Sequence, residues 1–177
     1  RHYHGTMNLA EALDQNARRR PSAPAIITPS ETISHAVFRD MVCRRAACLS
    51  SLGVGPDDIV GVNLKDTPEH LAALFALARI GAAALPMDWR WTVDEKTRLA
   101  EFFKPRIVLS ETADPFTDVD GAWVTVAIDG DWESNVTAAD PEATSLAGGD
   151  PPLLLALSSG TTGIPKGPLI THNQFFS

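Results

Sequence analysis

The feature that most limits how this chain can fold is its alternation of short apolar runs with helix-period segments. The runs are Ala25 to Thr28, Ile59 to Leu64, Ala82 to Leu85, Arg106 to Leu109, Val124 to Ile128 and Leu153 to Leu157. Each has the length and near-continuous apolarity of a strand buried on both faces. Four helical patterns accompany them. Asn8 precedes Leu9, Ala12, Leu13 and Ala17 at helical spacing, with Glu11 three residues after the cap and Pro21 closing the segment. A second helix is expected from about Ser34 to Leu52, with Val37, Phe38, Met41, Val42, Leu49 and Leu52 on its apolar side and Gly53 as its stop. A third opens at Thr67-Pro68-Glu69 and runs through Leu71, Leu74, Phe75 and Leu77 to Gly81. A fourth opens at Thr92, with Glu95 placed for a capping box, and ends before Pro105. Alternation from Ala25 to Leu109 predicts an α/β fold: a layered, mostly parallel sheet with helices on both faces. The stretch Asp129 to Asp150, rich in Asp, Ala, Ser, Thr and Gly, reads as a surface excursion.

A chain of 177 residues can bury one genuine core. Its net charge of -7 argues against nucleic acid as the main partner, because a phosphate backbone requires a basic face. Arg18-Arg19-Arg20 is short and reads as a solvated helix end. The longest apolar run, Leu71 to Leu85, is interrupted by Arg79 and too short to span a bilayer. Cys43 and Cys48 fall on different faces of the second helix, so no disulfide joins them. No His/Cys set has metal-ligand spacing, and no metal-binding residue is predicted. Reduced thiols and a cytoplasmic setting follow. Met7 reads as a natural start, which makes residues 1–6 a vector remnant or a disordered leader and removes His2 and His4 from the functional reading.

The chemically informative segment is Leu153-Leu-Leu-Ala-Leu-Ser158-Ser159-Gly160-Thr161-Thr162-Gly163-Ile164-Pro165-Lys166-Gly167. An apolar strand runs into a loop of small residues. Gly160 and Gly163 permit close backbone approach and positive φ. Successive N–H groups in such a turn form an anion-binding concavity. Ser158, Ser159, Thr161 and Thr162 add hydroxyl donors, and Lys166 a mobile positive charge. Pro165 stiffens the approach to the lysine. The set suits a polyphosphate. It is not the Walker loop, which needs Gly-Lys-Ser/Thr opening a helix; here Gly167-Pro168 follows the lysine. A polar glycine-rich hairpin loop is the plainer reading of such residues, but the unbroken string SSGTTGIPKG after an apolar strand is far more specific.

That string resembles the signature of the adenylate-forming (AMP-binding) superfamily, which includes acyl-CoA ligases and peptide-synthetase adenylation domains. Ile33 to Phe38 loosely resembles the family's Leu-Thr-Tyr-x-Glu-Leu helix start. Leu52 to Val62 and Leu77 to Met87 are similar to its Leu-Gly-Val and helix–Gly–Ala–strand–Pro segments. The likeness runs from about Met7 to Ser177. Ser158-Ser159 at the loop start and Met87 to Glu95 lean towards CoA ligases, the second segment being similar to a run of fatty-acyl ligases. The resemblance implies that residues 7–177 are the N-terminal α/β portion of an AMP-binding domain, ending just after the phosphate loop. The family's adenine and ribose contacts, hinge and C-terminal catalytic lysine lie beyond it. The implied enzyme joins a carboxylic acid, in this reading a fatty acid, to CoA using ATP and Mg²⁺. Ser158, Ser159, Gly160, Thr161, Thr162, Gly163 and Lys166 would grip the ATP phosphates. Lys166, Thr161 and Thr162 would carry the catalytic charge stabilisation, and the CoA contacts would lie outside this chain. Alone, such a fragment should be inactive. An open apolar face would favour a homo-oligomer. The alternatives are an adenylation domain that loads a carrier protein, and a non-catalytic nucleotide-binding module.

Other residues receive quieter readings. His35 and His70 lie in helix first turns as structural or exposed groups, and His172 caps or packs after a strand. Trp89 and Trp91 read as packing residues, and Asp57-Asp58 as a turn before a strand.

Overall fold

The computed structural model describes residues 9–112 and 123–148, and the backbone of residues 152–155 and 169–171. The first element is helix α1 (Leu9–Arg19), whose Ala10, Leu13 and Asp14 are buried. Its expected cap, Asn8, lies outside the described residues. Arg18 to Arg20 are exposed, as a solvated helix end should be.

The first apolar run does not enter the main sheet. Strand β1 (Pro24–Ile27) pairs antiparallel with β2 (Thr32–Ser34) in a separate two-stranded sheet. The reason is local. A tight turn closes through Thr28 N–H to the Glu31 carbonyl (2.8 Å) and Glu31 N–H to Thr28 Oγ1 (3.0 Å), so β1 finds its partner at once. Ile27 consequently stays exposed, so β1 is not the two-face-buried strand its composition suggested.

Helix α2 (His35–Ser51) is capped by Ser34, whose hydroxyl accepts from Val37 N–H (3.3 Å). Its Phe38, Val42 and Leu49 enter the core as expected, whereas Val37 and Leu52 are exposed. Strand β3 (Ile59–Asn63) leads to helix α3 (Pro68–Ile80), which Gly81 ends at φ 88°. Thr67 precedes α3 without a side-chain cap bond; its hydroxyl lies 3.4 Å from the Lys65 carbonyl. Strand β4 (Ala83–Pro86) is followed by helix α4 (Val93–Phe103). The α4 capping box is complete: Glu95 N–H reaches Thr92 Oγ1 (3.2 Å) and Thr92 N–H reaches Glu95 Oε2 (2.8 Å). Strands β5 (Ile107–Ser110) and β6 (Val124–Ala127) complete this half.

Residues 129–148 depart from the surface excursion expected for Asp129 to Asp150. Asp129 caps a helix, α5 (Gly130–Ala138), by accepting from the N–H groups of Asp131 and Trp132 (both 3.1 Å). Trp132 and Val136, one turn apart, enter the main core. Trp132 Nε1 donates to Glu69 Oε1 (2.9 Å), and Arg45 of α2 grips the same carboxylate. Polar composition had concealed a short helix with one apolar face.

The main sheet has the order β6-β5-β3-β4-β7-β8, where β7 is Pro152–Leu155 and β8 is Leu169–Thr171. Strands β6, β5, β3, β4 and β7 run parallel, and β8 returns antiparallel to β7. Alternate residues face opposite layers. Val60, Val62, Ala84, Ile107 and Leu109 meet the helices α2, α3 and α5. Leu85 and Val108 meet α4 through Leu99 and Ala100. Helices therefore cover both faces. Cys43 and Cys48 are buried and unbridged. Among the described residues no helix is long and apolar enough to cross a membrane.

Candidate functional site

Ligands of open α/β sheets bind outside the carboxyl ends of the strands, where the order of strands reverses. Here the order reverses about β3, whose two neighbours β4 and β5 follow it on opposite sides. The chain goes from β3 to its neighbour β4 by way of α3, then returns across β3 to β5 by way of α4. Because α3 and α4 lie on opposite faces, the segments leaving β3 and β4 diverge. Lys65 and Trp89 sit at the two sides of this opening. Lys65 Nζ stands 5.2 Å from the centre of the Trp89 ring, a cation–π distance. Trp89 is 44% exposed and so is not the packing residue expected for it; Trp91 fills that role beside Leu85 and Val108.

The floor of this edge is rigid for identifiable reasons. Asn63 Nδ2 donates to Ser110 Oγ (3.0 Å), tying the ends of β3 and β5. Lys65 N–H donates to Glu111 Oε1 (2.9 Å). Lys96, almost fully buried, reaches up from α4 to the Trp89 carbonyl (2.9 Å). Burial pushes the Lys96 ammonium below its ordinary value, opposed by Asp88. Beneath, Gly61 is needed for close approach: a Cβ there would lie 2.9 Å from Val108 Cγ2 and 3.2 Å from Met87 Cε. At the rim Arg90 folds onto Asp88, with Nε to Oδ1 at 2.9 Å and Nη2 to Oδ2 at 2.7 Å. These bonds hold the Asp88 carboxyl well below its usual range, at about 2.

The predicted phosphate-binding residues, Ser158, Ser159, Gly160, Thr161, Thr162, Gly163 and Lys166, lie outside the described residues, as does His172. The strands on either side are described. Strand β7 runs parallel beside β4, with Ala84 opposite Leu154, so it leaves the sheet at the same carboxyl edge as the Trp89 segment. Leu155 is paired with Leu169 of β8. The whole connection 156–168 thus departs from and returns to one paired position, in the strand next to β4.

A model of the AMP-binding enzyme family matches residues 13–177. The chain belongs to the AMP-binding enzyme family. Within this adenylate-forming family its relatives divide by acceptor. It is 32% identical to the indoleacetate–CoA ligase of Aromatoleum aromaticum, over 94% of this chain and 35% of that protein. It is 31% identical to CymA of Salinispora arenicola, a probable non-canonical nonribosomal peptide synthetase, over 93% of this chain and 2% of that protein. In structure it is similar to the inhibitor-bound N-terminal domain of FACL13 from Mycobacterium tuberculosis, with a TM-score of 0.83 at 24% identity, covering 93% of this chain and 44% of that one. This AMP-binding chain spans about a third of the length of the CoA ligase it matches.

The remaining singled-out residues of this family member are structural. Asp57 adopts φ 66° in the turn before β3, and Asp58 Oδ2 accepts from Gly55 N–H (2.8 Å). His70 Nδ1 lies 3.3 Å from the Lys65 carbonyl. His35 Nδ1 is buried without a partner among the described residues. Lys65 and Lys96 were not singled out from sequence. The signal available was their position just after one strand and inside the helix following the next.

Proposed function

We propose that the protein carrying these residues activates a carboxylic acid with ATP and transfers the acyl group to CoA. One observation supports this most: a connection rich in hydroxyls, glycines and a lysine is anchored at the Leu155–Leu169 pair, on the carboxyl edge of a parallel sheet. In this reading the acid's carboxylate oxygen attacks the α-phosphorus of ATP. The bond to the bridging oxygen breaks, and pyrophosphate leaves with the electron pair. Ser158, Ser159, Thr161 and Thr162 donate to the β- and γ-phosphate oxygens, with the backbone N–H groups of Gly160 and Gly163. Lys166 offsets charge that grows on the leaving oxygens, which is where such donors accelerate the reaction. In this reading Mg²⁺ arrives on the ATP phosphates.

The acid is read as a fatty acid from the Met87 to Glu95 segment. The acceptor is read as CoA from the loop's Ser158-Ser159 opening and the likeness to a CoA ligase over 94% of the chain. The likeness to a peptide synthetase supports the second reading, loading of a carrier protein's phosphopantetheine thiol. The test is acid-dependent ATP–pyrophosphate exchange by the full-length protein across fatty, aryl and amino acids, followed by transfer to CoA or to carrier protein. Exchange with a fatty acid and thioester on CoA is expected. Exchange with amino acids alone would replace this reading by the second; no exchange with any acid would end both.

A further inference from the structure

Strand β7 must be delivered to its place beside β4 from the opposite edge of the sheet. The chain leaves β6 at that edge, forms α5, and then crosses β5, β3 and β4, about 19 Å at the usual strand spacing. Residues 139–148, which make most of this crossing, form neither helix nor strand. Their position is instead fixed by three arginines of the helices beneath. Arg44 Nη1 of α2 donates to the carbonyls of Thr137 (2.9 Å) and Ala139 (2.7 Å). Arg39 Nη1 of α2 donates to Glu142 Oε1 (3.3 Å). Arg79 Nη2 of α3 donates to the Thr144 carbonyl (3.2 Å), and the Arg79 carbonyl accepts from Ala147 N–H (2.9 Å). Leu146 then packs on Ala10 and Ala78.

One carboxylate organises this set. Asp14 of α1 accepts from Arg39 Nε (2.9 Å) through Oδ1, and from Arg79 Nη1 through both oxygens (3.3 and 3.2 Å). Asp14 and Glu142 balance Arg39 and Arg79 in charge. Cys43 is buried among them, and burial pushes its thiol up, so it adds no charge. A buried ion cluster is weak evidence for stability, since its desolvation rivals its attraction. Arg79 Nε and Thr144 Oγ1 also have no partner among the described residues, so hydrogen bonding is not maximised. What the cluster does satisfy is geometry. Five directional bonds, two of them to backbone carbonyls of the crossing segment and one to the Thr137 carbonyl at the end of α5, can hold it in one place.

We infer that Asp14, Arg39, Arg44 and Arg79 are positioning residues that set the crossing segment, and through it β7 and the phosphate connection that follows. The link to the phosphate connection rests on the function proposed above; the link to β7 does not. Arg79→Lys is the discriminating variant. It keeps a cation for Asp14 but loses the second nitrogen that reaches Thr144. Glu142→Ala, which removes the acceptor for Arg39 Nη1 at the exposed end of the cluster, is the companion that leaves the buried pair intact. Hydrogen exchange by mass spectrometry on the full-length protein should show amides of residues 153–155 exchanging at least tenfold faster in both variants. Amides of 59–63 and 107–110 should be unchanged. Unchanged exchange at 153–155, or equal acceleration in all three strands, would overturn the inference. In pyrophosphate exchange Arg79→Lys should raise KM for ATP at least threefold and leave KM for the acid alone. If β7 loosens but neither constant moves, the link to the phosphates is wrong. If the unsubstituted protein exchanges with no acid, the proposed function fails while hydrogen exchange still decides the role of the cluster.

Discussion

Two Asp–Arg pairs sit on opposite sides of this molecule's working parts, and their contrast is instructive. Asp14 and Arg79 each expose 6% of their side chains, and come together from α1 and α3. Asp88 and Arg90 are neighbours in sequence at the carboxyl edge, exposing 29% and 72%. The chemistry of the pairs is the same, but their environments give them different tasks. In the interior neither charge can be solvated if its partner is lost, so the pair commits two helices to one arrangement. At the rim water can replace either partner, so the pair adds little to stability and remains open to a ligand.

The comparison can be broken most directly from the buried side. Arg79→Ala should lower unfolding free energy by about 3–5 kcal/mol, because it leaves the buried Asp14 carboxylate with Arg39 as its remaining charged partner. Adding Asp14→Leu should recover much of that loss; urea midpoints of the single and double variants measure both. Next in size is Lys166→Ala, which should slow ATP–pyrophosphate exchange by about 10²-fold or more while the urea midpoint stays in place. An unchanged rate would remove the charge-stabilising role given to that lysine. Gly61→Ala should cost about 1–3 kcal/mol, since its methyl group would press on Val108 and Met87 under the edge. A midpoint equal to the unsubstituted protein's would show that the floor of the site is less tightly packed than described.

The smallest effect belongs to the rim. Arg90→Ala should leave the urea midpoint at pH 7 unchanged while the Asp88 pKa moves from about 2 back towards 3.8 in an NMR titration. The sign follows from the depressed folded value. Whatever the pair contributes is present above the ordinary carboxylate pKa and disappears as pH falls towards 2. An Asp88 that titrates normally in the unsubstituted protein would mean that the rim pair does not persist.

How far the sequence could be read depended on the range of the interaction concerned. Thr92 and Glu95 are three residues apart, so their reciprocal capping bonds were legible. So was the stop at Gly81, decided within one turn. The same locality explains β1. A local turn captured it before the sheet could, although its composition matched the buried strands. Helix α5 had a readable signal, Asp129 followed by Trp132 and Val136 one turn apart, but bulk polarity outweighed it. The site divides in the same way. The phosphate string is contiguous and stands out in one dimension. Lys65 and Trp89 meet only because strands β3 and β4 are neighbours with helices on opposite faces.

By itself, then, the sequence determined the alternating α/β class, most helix ends and the family, because each rests on contiguous residues or on a short period. Only the tertiary structure decided which strands are neighbours, that α5 joins the core, and which aspartate is buried. Asp14 and Arg79 lie 65 positions apart. Nothing local distinguishes them from Asp88 and Arg90. What separates the pairs is exclusion of water, which the packing of several distant elements creates together.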